Sequence, residues 1–186
     1  MGSWGATTSD EAKPKYLTAT QKESVYATAA GWTQPAQGNG NSGADREVLV
    51  AIRGLGTSAD KLAEASISSF RFITTALSEA TSEEMSVNVS WNERVTVTGT
   101  PKCVVTGPMT GPLELEYASG TGTNNLVFTG ELVGGGNFAA ADELVIAGDA
   151  IDLNSGTIKD TVSTNNAVIT NTEAIGETAG TLTVTA

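Results

Sequence analysis

From residue 46 onward the chain is a succession of short runs in which apolar and polar residues alternate, each closed by Gly, Pro, Asn or Thr. The runs include "REVLVAI", "EASISSFRFIT", "MSVNVSW", "RVTVTG", "KCVVTG", "LELEYAS", "NLVFTGEL", "DELVIAG", "GTIKD" and a terminal "GTLTVTA". A period of two sends successive side chains to opposite faces of a strand, so each run has one face to bury and cannot bury it alone. Strands this short, at this spacing, solve the problem by packing as two facing sheets. The pattern predicts a mainly β fold, a β-sandwich. Its composition agrees: 39% of the 186 residues are apolar but only 5% aromatic, and β-branched and small residues suit thin sheets better than a helical bundle.

The stretch "VNVSWNERVTVTGTPKCVV" holds Trp, Arg, Glu, Lys and the one cysteine of the chain, and it reads as wall. Met85, Val87, Val89 and Trp91 share one face, with Ser86, Asn88 and Ser90 on the other. A bend is expected at Asn92 and a turn at Gly99–Pro101, which makes Glu93, Arg94 and Lys102 rim charges. Cys103 lies in an alternating apolar run, where a thiol behaves as a small hydrophobe.

Charge divides the chain near residue 60. Residues 1–60 carry five basic and six acidic groups, whereas residues 61–186 carry five and fifteen. The first part reads as an N-terminal arm and the second as the sandwich domain. In the arm, Pro14 imposes extended backbone in "SDEAKPKYL". Thr20 and Glu23 stand at capping-box spacing and Gly31 at a helix end, which predicts one short helix over Gln21–Ala30. Val25, Tyr26 and Ala29 form its small apolar face, too small to hold an isolated helix of that length in water, so the helix must dock on its own domain or on another subunit. Trp4, Pro14, Tyr16, Tyr26 and Trp32 are the residues expected to anchor it. Residues 33–45, "TQPAQGNGNSGAD", read as a linker, and Glu47–Arg53 as a strand stopped by Gly54.

Several chemistries are excluded or disfavoured. Histidine is absent, which removes the commonest general base and metal ligand and with them every Ser–His and Cys–His pair. A formal net charge of −11 disfavours nucleic acid and anionic lipid as partners. No apolar run is long enough to span a membrane. Asp142, Glu143, Asp149, Asp152 and Asp160 crowd together in sequence, but no D-x-D-x-D-G loop organises them for calcium, so they read as a solvated acidic face. "GTGTNN" and "VGGGN" precede no helix start with a lysine and read as turns. Asn88-Val-Ser90 fits a glycosylation acceptor but sits inside a strand. No catalytic, cofactor-binding or metal-binding residue is expected, and no enzymatic activity.

The ordered elements "VSWNERVTVTGTPKCVVTG", "LELEYASGTGTNNLVFTGEL" and "DELVIAGDAIDLNSGTIKDTVSTNNAV" resemble the bacterial Ig-like repeats of large surface and adhesive proteins, over about residues 64–186. Ser155 departs from the resemblance, standing where a second Gly is usual, and "VGGGNFAAADE" is insertion-like. The arm, through "WG", "KPKYLT", "VYATAAGW" and "REVLVAI", is similar to the start of virion structural proteins of marine tailed phages. Together the resemblances imply an Ig-like β-sandwich preceded by an extended N-terminal arm with one short helix, and a capsid decoration protein made in the host cytoplasm and carried on the virion surface. Its implied partners are the major capsid protein, neighbouring copies of itself, or both. The competing expectation is a neck, tail or host-surface adhesin module with weak polysaccharide binding.

Overall fold

The structure, a computed structural model, describes residues 14, 16–28, 31–35, 47–51, 64–80, 82–108, 113–132 and 138–186. Its fold is mainly β, with a large antiparallel sheet that curls on itself.

The N-terminal part opens with helix α1, Ala19–Ser24. Strands β1 (Tyr26–Thr28), β2 (Gly31–Gln34) and β3 (Glu47–Ala51) then form an antiparallel sheet in the order β1-β2-β3. The helix is therefore shorter than the expected Gln21–Ala30 and starts two residues earlier. Thr18 caps it: Thr18 Oγ1 accepts from Gln21 N at 3.3 Å, and Thr18 N donates to Gln21 Oε1 at 3.0 Å. The capping box exists, then, but uses Thr18 and Gln21 in place of Thr20 and Glu23. Residues 25–28 stand outside the helix because "VYAT" and "GWTQ" gain more as a hairpin, pairing Tyr26 with Thr33 and Thr28 with Gly31; Ala29 and Ala30 lie outside the described residues. The pairing buries Val25 and Trp32 with Leu17, and Leu49 packs against them. Gly31 opens β2 at φ 123°, a conformation open to glycine, instead of ending a helix. Thr33 and Gln34, expected in a linker, belong to β2; residues 36–46 lie outside the described residues, as do Arg53 and Gly54.

The sandwich follows. Its strands are β4 (Ile67–Phe72), β5 (Leu77–Ser78), β6 (Glu83–Thr98), β7 (Lys102–Val105), β8 (Leu113–Ser119), β9 (Thr123–Leu132), β10 (Glu143–Leu144), β11 (Ile151–Asp152), β12 (Thr157–Asp160) and β13 (Leu182–Thr185), with helix α2 at Glu173–Gly176. The large sheet runs β11-β7-β8-β9-β6-β12, with β4 also paired to β6; a small sheet runs β10-β13-β5. Between them lies one contiguous core built from Met85, Val87, Val89 and Trp91 of β6, Leu126 and Phe128 of β9, Leu77, Leu144, Leu182 and Val184 of the small sheet, and their neighbours.

The largest departure from expectation is β6. "MSVNVSW" and "RVTVTG" form one strand of 16 residues, and the bend expected at Asn92 is a bulge within it. Its two halves have different partners: β4 pairs with Val87–Trp91 and β12 with Val95–Thr98. Against β9 the register jumps from Ser90↔Asn125 to Val95↔Thr123, so Trp91–Arg94 bulge opposite Asn124. A bulge of this kind bends and twists a strand without ending it, which lets β6 serve both ends of the curled sheet. Asn92 stabilises the bulge from the side: its Oδ1 accepts from Ser66 N at 2.7 Å and its N donates to Ser66 O at 3.0 Å.

Candidate functional site

Cys103 is the first candidate to dispose of. It is fully buried on β7 between Leu115 of β8 and Ile151 of β11, and burial pushes its thiol up to about 12. A thiol so far from ionisation is no nucleophile at neutral pH.

The acidic residues do not assemble. Asp142 Oδ2 accepts from Ala139 N at 2.8 Å, and Asp152 Oδ1 accepts from Asn154 N at 2.8 Å. Among the described residues no three potential ligands come together to hold a metal ion. Asp160 is not part of a solvated face: it is 3% exposed, and its Oδ1 accepts from Val162 N at 2.6 Å and Ser163 N at 2.7 Å. Glu93, expected on the rim, turns inward at the β6 bulge and meets Asp160. Burial, together with the neighbouring Asp160 charge and a hydrogen bond to it, pushes the Glu93 carboxyl up to about 8. Lys102 and Arg94 are nearer expectation. Lys102 pairs with Glu114, and the Arg94 guanidinium stands 5.8 Å from the centre of the Tyr26 ring, within cation–π range.

The expected anchors go to different places. Trp4 lies outside the described residues. Pro14 is buried and Tyr16 is 70% exposed. Tyr26 and Trp32 are buried inside the chain at 8% and 2% exposure, so those two side chains are spent on the protein's own structure.

Polar contacts tie the N-terminal unit to the flank of the large sheet. The backbone carbonyl of Glu23, at the end of α1, accepts from Asn124 Nδ2 at 2.8 Å and from Asn125 Nδ2 at 3.2 Å. The Glu23 carboxylate takes Arg71 Nε of β4 through both oxygens at 3.1 Å. Beneath them Ser90 Oγ donates to Asn125 Oδ1 at 2.8 Å, and Asn88 Nδ2 reaches Ser90 Oγ at 3.1 Å and Asn125 Oδ1 at 3.2 Å. Asn124 also donates to Trp91 O at 3.3 Å, so one side chain clamps the bulge and the helix together. Cavities of about 410 Å³ and about 230 Å³ open along this seam, and Glu23 and Arg71 line both.

Sequence reasoning missed this cluster. "GTGTNN" reads as a hairpin turn, and Ser86, Asn88 and Ser90 read as a water-facing strip. An unusual density of amides at one level of two neighbouring strands was the available sign. No family model, no curated protein and no solved structure matches the chain.

Proposed function

We propose that the chain is a structural component of a phage virion, a capsid decoration protein that attaches through its N-terminal segment and turns its β-sandwich outward. The observation that carries this reading is the division of labour in the fold. The N-terminal unit has a core of its own in Leu17, Val25 and Trp32, separate from the sandwich core, and meets the sandwich through the polar seam at Glu23. Such a unit presents a segment for attachment while the larger body stays independent of the contact. Of the expected anchors among the described residues, Tyr16, 70% exposed, is the one aromatic left open to a partner. The resemblance of the arm to phage virion proteins and of the sandwich to Ig-like repeats supports the same assignment. The groups that ordinarily do chemistry are committed elsewhere: Cys103 to the core wall, Asp160 to a turn.

The test mixes purified protein with undecorated capsids and measures bound copies. Removing residues 1–13, which keeps the buried Pro14 with α1 and the Trp32 core, abolishes binding, and Tyr16→Ala weakens it. Wild-type decoration by the shortened chain would overturn the attachment role of the N-terminal segment.

A further inference from the structure

The seam between α1 and the large sheet is hollow on both sides of the Arg71–Glu23 pair. On one side, a cavity of about 410 Å³ is lined by Thr20, Gln21 and Ser24 of the helix and by Arg71, Asn88 and Asn125 of the sheet, with Glu23. On the other, a cavity of about 230 Å³ is lined by Ala19 and Lys22 with Ser69, Phe70 and Thr178. The larger is within the roughly 300–1,000 Å³ of small-molecule sites.

The larger cavity carries unspent hydrogen-bonding capacity. Asn88 is 6% exposed, and both of its hydrogen bonds leave from Nδ2. Its Oδ1 accepts from no described residue and is not sealed from solvent, so it can accept from a molecule in the cavity. Gln21 is engaged through Oε1 alone, by Thr18 N and Oγ1, which leaves its Nε2 to donate. Arg71 is engaged through Nε alone, so the two terminal nitrogens of a side chain 51% exposed also remain to donate. The wall thus offers an acceptor, amide and guanidinium donors, and the Thr20 hydroxyl, which acts either way.

Charge narrows the ligand class. In the larger cavity an anion would meet a guanidinium already neutralised by Glu23, on a chain of net charge −11. A cation would meet a carboxylate already held by Arg71. What suits closely spaced donors and acceptors with no net charge is a polyhydroxylated, uncharged molecule. The second hollow beyond the same pair suits a molecule that continues past it. We infer that this seam binds a neutral oligosaccharide, with one sugar unit on each side of the Arg71–Glu23 pair. Phe70 is 1% exposed and gives no open aromatic face for a ring to stack on, so binding rests on hydrogen bonds. The inference does not depend on how the chain attaches to a capsid.

The experiment follows the side-chain amide signals of Asn88, Asn125 and Gln21 by NMR in the full chain. Maltose, cellobiose and lactose are titrated in turn, with glucose and galactose as single units and with phosphate and calcium as charged probes. At least one disaccharide shifts these amides saturably and binds more tightly than its monosaccharide. Arg71→Met weakens binding about tenfold, the loss of one charge-assisted hydrogen bond. Thr20→Val, which leaves the tie to Glu23 in place, weakens it as well, and thermal melts of both variants verify that the fold is kept. The inference fails if no disaccharide moves these signals, if binding survives both substitutions, or if phosphate or calcium moves them instead.

Discussion

Glu93 on β6 stands beside Asp160 on β12, and burial first, then the Asp160 carboxylate, pushes the Glu93 carboxyl up to about 8. Asp160 Oδ1 is already occupied by the backbone N–H groups of Val162 and Ser163. At neutral pH Glu93 therefore holds its proton, and its Oε1 is enclosed without a hydrogen-bond partner among the described residues.

A pH dependence follows. The Glu93 carboxyl lies at about 8 in the folded chain against an ordinary 4.5, so the folded state holds a proton that the unfolded state has released. Its stabilisation is complete below the unfolded value, declines as pH rises, and is gone once pH passes through about 8. Glu93→Gln keeps a hydrogen-bond donor but cannot ionise. Melting temperatures taken across this range should fall more steeply for the wild type than for Glu93→Gln, and the variant should be the more stable above pH 8. Parallel profiles would exclude the proton on Glu93.

The turn between β11 and β12 holds two substitutions of opposite sign. A Cβ on Gly156 would stand 2.5 Å from Thr98 O and 3.0 Å from Leu153 O, so Gly156→Ala should cost about 1–3 kcal/mol. Ser155 has φ 63°, the left-handed region in which a side chain costs about 1–2 kcal/mol. Ser155→Gly should recover about 1 kcal/mol. Denaturant unfolding of the two variants checks both signs.

The same turn shows what the sequence could and could not reveal. The resemblance to Ig-like repeats leads one to expect Gly at the Ser155 position, and the left-handed backbone there gives that expectation a steric reason. The apolar faces of β6, β7 and β9 were readable too, because alternation is a local property. The continuity of β6 was not, since it depends on β4 and β12 taking up different halves of one strand. The helix was placed too far along because cap residues recur at Thr18 and Thr20, and only the β1–β2 pairing decides between them. The Asn88, Asn124 and Asn125 cluster was hidden for a related reason: polar residues on a strand look solvent-facing until a helix is known to cover them.

The two cores predict separable unfolding. Trp32→Ala removes the largest side chain of the N-terminal core and should cost that unit about 3–5 kcal/mol. Hydrogen exchange should then lose protection over α1 and β1–β3 while β6 and β9 stay protected. A chain starting at Leu62 should melt cooperatively by itself. Loss of protection throughout the Trp32→Ala protein would mean that the cores fold as one unit.

Cys103 should be silent in the native protein. With its thiol at about 12 and no exposure, it should react with a thiol reagent only at the rate of global unfolding. Labelling faster than unfolding would show that the β7–β8 wall opens locally.

The attachment reading is tested most directly by cryo-electron microscopy of undecorated capsids incubated with the full-length protein. The account predicts added density on the capsid surface with the N-terminal unit against the major capsid protein and the β-sandwich pointing away. A bare capsid, or density in which the sandwich makes the contact and the N-terminal unit faces solvent, would contradict it.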